Sequence, residues 1–521
     1  MSSHGGSLAY GLPPEISRLL YTNDPRVDYQ VAEIKNSLGI ARTLKDELGL
    51  KITQLRMDLV RLEREELHAT RHISRCEFAL APVRRVPPEI LSEIFHCYVD
   101  LLGDQHECVD VKHGVWLLAH ICSYWRTVAL STPQLWSSCG YACDTRVRNV
   151  VPLIQAWLKH AANHPLSIRF RCTTNTFPNH RAAVCQCPNA VKAFAEHHLQ
   201  WSELNFCVPA SFYSHRAFEH TFPILRKLKI TAFLSQVILD NMITILTVFA
   251  TNVPQLREVS LHDFAHWPVR MILPWKQLTS YSGAVIANAS ILKNSPDLLE
   301  CTFYPSARAD VTPSFRLTEP LVHSNLRHLH LHFRSLRPEL VTLPALQSLR
   351  LSADDISILQ SVERLLQRSM ASPVSLTIDD FGFSPELVAV LAAAPSVAHL
   401  TICAIANETI SVSVTDQFFA FFMEGADTPP LLPGLRTLTI QNLVFGETFV
   451  RMVRSRCISD TSNDNNNAWM GNGTTGHLES LTIADVGDTH ISHLLDIKRL
   501  RSEAGLKLFG EEALAAVRIL G

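Results

Sequence analysis

Residue types that commonly bind metal ions meet in one polar stretch of the sequence. Cys185 and Cys187 are separated by one residue, and Cys172 and His180 precede them. Thiolate and imidazole are the usual zinc ligands, and zinc knuckles space their paired cysteines by roughly two to four residues. The Cys-x-Cys spacing does not match, and no second pair follows at a suitable distance. The stretch is therefore interpreted as an irregular loop, and no metal site is predicted.

A histidine run occupies alternate positions of the segment HLHLHF. His328, His330 and His332 fall on one face of a β-strand, because successive side chains of a strand point to opposite sides. Two such histidines can chelate a metal ion, yet no carboxylate or cysteine of suitable spacing completes the coordination shell. The alternatives are a hydrogen-bonding or pH-sensitive patch and a set of solvated polar residues.

Three glycines reproduce the letters of a dinucleotide-binding fingerprint, Gly471, Gly473 and Gly476. That motif needs a strand before it and a helix after it. Here an Asn/Gly/Ser-rich tract at 459–476 contains the glycines and the strand-like HLESLTI follows, so the tract is predicted to be a flexible insertion. The sequence also lacks a nucleophile elbow, a P-loop, an HExxH motif and a paired-carboxylate arrangement. It therefore predicts a protein without catalytic activity or cofactor.

Composition and charge narrow the class of protein. The chain has 521 residues, a length that predicts two or three structural units, and 47% of the residues are hydrophobic, which is enough to form their buried cores. A formal net charge of -2 and the absence of basic tracts favour neither nucleic acid nor membrane as partner. The thirteen scattered cysteines fit free thiols in a reducing compartment. With no signal peptide or membrane span in the pattern, we expect an intracellular protein, cytoplasmic and/or nuclear.

The elements that must position these residues begin with a long helix. Residues 1–27 are predicted to be loosely ordered, and 28–80 to form an amphipathic helix, since no proline occurs from Asp28 to Phe78. From Leu48 onward the apolar steps follow the a/d rhythm of a coiled coil. The helix either pairs with another chain or packs on its own neighbours. Its apolar positions are Ile34, Leu38, Ala41, Leu48, Ile52, Leu55, Leu59 and Leu62.

A compact helical segment follows at residues 82–138. Pro87 and Pro88 fix a helix start, because proline is pre-organised for the first helical turn. A second helix shows the same periodicity, and Pro133, Leu135 and Trp136 close the segment. Such amphipathic helices need a partner surface. The apolar positions of the two helices are Ile90, Leu91, Ile94, Phe95, Leu117, Leu118, Ile121, Cys122 and Trp125.

The order and spacing of these residues resemble the F-box, from Val86-Pro87 to the closing Leu135-Trp136. With the preceding helix, the segment is similar to a large group of fungal F-box proteins with leucine-rich C-terminal regions. The resemblance implies docking to a Skp-type adaptor, which bridges to a cullin, through an apolar helix face. A small helical domain with a tryptophan-rich core is the alternative. The adaptor-binding residues that the resemblance implies are Val86, Pro87, Ile90, Leu91, Ile94, Phe95, Leu118, Ile121, Cys122, Trp125 and Trp136.

A phrase with apolar first, fourth and sixth positions recurs through residues 150–521. Clear copies begin at Leu225, Leu256, Leu326, Leu346, Val397, Leu435 and Leu478, and weaker ones at Pro165, Trp201, Leu298 and Pro373. Several intervals lie within the roughly 20–29 residues of a leucine-rich repeat, and later intervals are longer. The pattern resembles the leucine-rich repeats that accompany many F-boxes, which implies an irregular α/β solenoid.

Residues between and after the leucines of such strands face the open side of the repeat array. The predicted target-binding residues on this side are His328, His330, His332, Arg350, Thr377 and Asp379. The predicted fold class is therefore α+β, with a long N-terminal helix, a helical F-box and a repeat solenoid. The predicted function is the substrate-recognition subunit of a cullin-type ubiquitin ligase, with an unknown target protein. A non-catalytic protein-interaction scaffold not linked to ubiquitin is the alternative. In either case the N-terminal helix is a candidate for self-association.

Overall fold

The computed structural model contains helices and parallel strands in two compact units, Met1–Leu91 and Ser92–Gly521. The α+β class with a long N-terminal helix is confirmed. Among the described helices, none has both the length and the mean hydropathy needed to cross a lipid bilayer. The structure describes residues 17–23, 25, 27–103, 107–143, 149–172, 186–209, 220–233, 253–262, 273–284, 291–304, 320–332, 340–352, 356–379, 382–404, 411–423, 429–457, 477–484 and 491–509. The predicted insertion at 459–476 lies outside these ranges.

The first unit is dominated by helix α1, Asp28–Leu80, of 53 residues. The two glycines within it do not interrupt the helix. Thr43 and Thr53 each donate a hydroxyl hydrogen bond to the carbonyl of the glycine four residues earlier, at 3.1 and 2.8 Å. The helix ends before Pro82, because proline disfavours helical geometry in the residue that precedes it. No residue of α1 is buried.

Among the described residues, five short helical elements follow α1. They are a 3-10 turn at Pro82–Arg85, α2 (Pro88–Leu102), α3 (Gly114–Ile121), α4 (Ser123–Leu130) and a 3-10 turn at Pro133–Trp136. The division between the two units falls within α2, after Leu91.

A tryptophan cluster forms the core of the helical part of the second unit. The Trp136 ring is fully buried, and its Nε1 donates to the carbonyl of Ala129 at 2.8 Å. Trp157, on helix α5 (Val151–Ala161), donates in turn to the carbonyl of Trp136 at 2.7 Å. Trp116 packs edge-on against both rings, with centroids 4.9 and 5.8 Å away. Because Trp157 lies beyond residue 138, this core continues past the predicted end of the helical segment.

In the part of the chain that the structure describes, fourteen parallel strands form one sheet, and their order follows the chain. In most of these strands alternate residues are buried, as for the leucines of the recurrent phrase, whereas four consecutive residues of β1 are buried. Two further strands, β8 (Leu321–Val322) and β10 (Val341–Thr342), form a separate parallel pair. The strands of the sheet are β1 (Ser138–Ala142), β2 (Leu166–Arg171), β3 (Trp201–Pro209), β4 (Lys227–Phe233), β5 (Glu258–His262), β6 (Ser280–Ala284), β7 (Glu300–Tyr304), β9 (His328–His332), β11 (Ser348–Ser352), β12 (Ser375–Asp379), β13 (His399–Cys403), β14 (Thr437–Gln441), β15 (Ser480–Ala484) and β16 (Lys507–Phe509).

The recurrent phrase located most of these strands. In all eleven copies the fourth and sixth positions lie within a strand. The phrase missed β1, β6 and β16, where at least one of the two aliphatic positions holds another residue; in β6 both are replaced, by Tyr281 and Gly283. The sheet also begins at Ser138, before residue 150, where the sequence pattern placed the start of the repeat region.

Helices lie between many of the strands. Arg456, near the end of one of these helices, is a buried cation. It donates hydrogen bonds to the carbonyls of Leu432 at 2.7 Å, Leu431 at 2.6 Å and Phe422 at 2.8 Å. The remaining helices are α6 (Cys187–Ala195), α7 (Ile291–Asn294), α8 (Ile356–Ser369), α9 (Pro385–Ala392), α10 (Val412–Ala420), α11 (Glu447–Cys457) and α12 (Ile491–Ala504).

Candidate functional site

The outward-pointing residues of the fourteen strands form a continuous surface, here named the polar face. Parallel pairing places equivalent positions side by side, so Arg350 of β11 lies between His330 of β9 and Thr377 of β12. The next row continues from His332 through Ser352 to Asp379 in the same way. Four of the six predicted target-binding residues, together with Ser352, meet here in one network.

Asp379 is the acceptor at the centre of this network. Arg350 donates through Nε to Asp379 Oδ2 at 2.5 Å, and the Ser352 hydroxyl donates to the same oxygen at 3.0 Å. His330 Nε2 lies 3.1 Å from Ser352 Oγ. Because the single hydroxyl proton of Ser352 is directed at Asp379, Nε2 of His330 must be the protonated nitrogen and the donor. The network therefore fixes the tautomer of His330.

His330 is neutral in this network at physiological pH. Burial, followed by the electrostatic effects of His332 and Arg350, lowers the pKa of His330 to about 4, and the nearby Asp379 only partly opposes this shift. The geometry thus favours a hydrogen-bonding role for His330 over a pH switch near neutrality.

Aromatic rings extend the network toward the N-terminal strands. His332 stacks on Tyr304 of β7 with centroids 5.0 Å apart, and Tyr304 contacts His262 of β5 at 5.1 Å. The Ser260 hydroxyl and His262 Nε2 are 2.8 Å apart. Sequence reasoning missed Tyr304 and His262, although each occupies the position after the last buried residue of its phrase, as His332 does.

Two predicted target-binding residues lie outside the network. His328 is exposed on the polar face, in register with Glu300 and Ser348. Thr377 is half-buried in register with Arg350 and Thr401. Both remain accessible to a ligand on this face.

A charged groove marks the N-terminal part of the polar face and was not predicted. Lys227 lies 3.3 Å from Glu258 and 3.7 Å from Glu203, and these carboxylates raise its pKa, Glu258 more strongly. The groove has a volume of about 370 Å³, and Arg169 and Lys229 also line it. The polar face therefore changes in chemistry along its length, from charged residues to histidine and tyrosine rings.

The eleven predicted adaptor-binding residues divide by exposure. In the first unit, Pro87 and Ile90 are exposed, Val86 is half-buried and Leu91 is buried. In the second unit Phe95, Leu118 and Trp136 belong to the core, and the half-buried Trp125 contacts the Phe95 ring at 5.0 Å. The buried members can support a docking surface only indirectly. The exposed members of the second unit are Ile94, Ile121 and Cys122.

Several apolar side chains of these helices face solvent, at positions of the F-box pattern and beyond it. Ile94 is 47% exposed and Ile121 52%, and Leu101 at the end of α2 is 88% exposed. Leu117 and Tyr124 are also exposed. The folded core leaves these side chains uncovered.

The cysteine stretch has a different arrangement from the one expected. Cys187 begins helix α6, and its sulfur lies in a group with those of Cys172 and Cys143, all within 4.8 Å of one another. Cys185 and His180 lie outside the described residues. The loop interpretation did not consider Cys143, because its proximity arises only from strand pairing.

Comparison with known proteins gives no relationship, since the sequence matches no protein-family model and no curated protein.

Proposed function

We propose that this protein is the substrate-recognition subunit of a cullin-type ubiquitin ligase. In this proposal the segment 82–138 is an F-box that binds a Skp-type adaptor, which links the protein to a cullin. The observation that carries the proposal is the exposed apolar set on α2, α3 and α4, which includes Ile94 and Ile121 at positions of the F-box pattern. The free energy falls when a partner covers exposed apolar side chains of this kind.

We further propose that the sheet is the strand layer of a leucine-rich-repeat solenoid. Support comes from fourteen parallel strands in chain order, whose aliphatic residues are buried and whose alternate residues are polar. In such an array each repeat covers the apolar side of the next. The polar face is then available to a target protein, with the network around Asp379 as a rigid, hydrogen-bonded part of the surface.

The mechanism in this proposal is proximity. The adaptor-bound helices and the target-bound polar face hold a lysine of the target near the charged carrier enzyme, which raises its effective concentration. This protein supplies no catalytic residue and needs no cofactor in that mechanism.

Co-purification with a Skp-type adaptor tests the docking step. The double variant Ile94→Asp, Ile121→Asp places two charges on the apolar surface without altering the buried tryptophan core, so we expect loss of most adaptor binding. Met370→Asp, at an 88% exposed site on another part of the second unit, is the matched control and keeps full binding. Circular dichroism verifies the fold of both variants. Unchanged adaptor binding by the folded double variant would refute the docking proposal.

A non-catalytic scaffold is the second candidate, and the uncovered apolar stripe of α1 favours it. A scaffold would use this helix and the polar face for partners without an adaptor. Affinity purification of the full chain distinguishes the two, because a stable complex without adaptor and cullin supports the scaffold, whereas their presence at stoichiometric amounts supports the ligase subunit.

A further inference from the structure

Three cysteines come together at one edge of the sheet's N-terminal part. Strands β1 and β2 pair in parallel with Ala142 beside Arg171, so the next residues, Cys143 and Cys172, leave the strands side by side. Their sulfur atoms are 3.6 Å apart. Cys187, the first residue of α6, brings the third sulfur, and all three atoms lie within 4.8 Å of one another.

Backbone hydrogen bonds hold two of these residues in place. The Cys143 N–H donates to the carbonyl of Arg171 at 3.0 Å, and the Cys172 N–H donates to the carbonyl of Cys207 at 2.8 Å. Cys172 and Cys187 are buried and Cys143 is half-buried. Strand pairing therefore fixes the positions of Cys143 and Cys172, and the start of α6 places Cys187 beside them.

The dimensions of the triangle match a tetrahedral thiolate site. Zinc–sulfur bonds of about 2.3 Å place the sulfurs of a tetrahedral site roughly 3.8 Å apart. A disulfide would use only two of the three thiols and leave the third beside it without a role. Thiolates are soft ligands and prefer Zn²⁺ or Cu⁺ to Mg²⁺ and Ca²⁺, and Zn²⁺ accepts the tetrahedral geometry without strain.

We propose that Cys143, Cys172 and Cys187 bind one Zn²⁺ ion through their thiolates. Binding releases the three thiol protons to solvent, and no electron is transferred. The fourth tetrahedral position takes water or an added ligand. The ion joins three separate positions of the chain and so stabilises the connection between the first two strands and α6.

Metal content of the reduced, full-length protein tests the proposal. Mass spectrometry of the purified protein is expected to find about one zinc per chain, and Co²⁺ replacement is expected to give the intense visible bands of a tetrahedral thiolate complex. Cys143→Ser, Cys172→Ser and Cys187→Ser each reduce zinc content at least tenfold. Cys301→Ala, which removes an equally buried thiol on β7, keeps it.

Alkylation of the wild-type protein gives a result that does not depend on folded variants. Zinc protects the half-buried Cys143 from iodoacetamide, and a chelator restores its reactivity, whereas the exposed Cys97 reacts equally in both conditions. Folded, reduced protein that takes up no Zn²⁺ would overturn the proposal. So would a Cys143–Cys172 disulfide in protein purified without reductant that contains no zinc.

Discussion

Helix α1 and the fourteen-stranded sheet are both amphipathic, but they differ in how their backbone hydrogen bonds are made. The helix satisfies its backbone hydrogen bonds within itself, and none of its 53 residues is buried. Each strand satisfies its backbone only through its neighbours, and the same pairing buries its aliphatic residues. The helix consequently leaves an apolar stripe in solvent, whereas the sheet leaves a polar face. The two surfaces suit different partners.

Truncation of an apolar side chain should show the largest difference in stability between the sheet and α1. Leu349→Ala on β11 removes a fully buried side chain and should lower the free energy of unfolding by about 2–5 kcal/mol. Leu55→Ala on α1 removes a side chain that is mostly exposed and should change it by less than about 0.5 kcal/mol. Urea unfolding followed by tryptophan fluorescence measures both. Equal losses would show that α1 is packed as firmly as the sheet.

Removal of the buried cation Arg456 should have the next largest effect. Arg456→Met leaves the carbonyls of Phe422, Leu431 and Leu432 without this donor, and about 3 kcal/mol of stability should be lost. Arg454→Met, an exposed position of the same helix, is the control and should be nearly neutral. Thermal unfolding of the three proteins tests the expectation, and similar melting temperatures would contradict it.

His330 should make the stability of the sheet depend on pH. Its pKa is about 4 in the folded protein and near its ordinary 6.5 in the unfolded chain. Between these values the unfolded chain binds a proton that the folded protein excludes, so the free energy of unfolding falls as the pH drops from 6.5 toward 4. Solvent screening at this half-buried ring reduces the expected contribution to roughly 1 kcal/mol.

His330→Gln is expected to lose this contribution and to flatten the pH profile of urea unfolding between pH 4 and 6.5. His328→Gln, at an exposed position on the same face of the strand, should leave the profile unchanged. An unaltered slope in His330→Gln would show that another group causes the acid sensitivity.

Substitutions on α1 should alter association while leaving stability nearly unchanged. Leu48→Glu with Leu55→Glu interrupts the a/d stripe, and we expect a self-associated full-length protein to become monomeric in analytical ultracentrifugation. Val60→Glu, exposed but outside the stripe, is the matched control. If the wild-type protein sediments as a monomer at all concentrations, the stripe serves another partner or none.

Local patterns in the sequence were sufficient to locate α1 and eleven strands, because helix periodicity and the leucine phrase each depend on residues close in the chain. They failed at β6, where Tyr281 and Gly283 replace the aliphatic pair. They also failed for contacts that only pairing creates: Cys143 beside Cys172, and Tyr304 beside His332. The network around Asp379 was predicted as a set of residues on one face, but its hydrogen bonds depend on the register of three strands.

The order of strands along the sheet has a consequence for how the chain is made. Each strand pairs with the strands nearest to it in that order, so contacts in the sheet remain short in sequence compared with those of a sheet that mixes distant strands. During translation, a strand that leaves the ribosome meets a template already formed by its predecessor. The tryptophan cluster is synthesised before most of the sheet, so it can be the first folded core to which later strands are added.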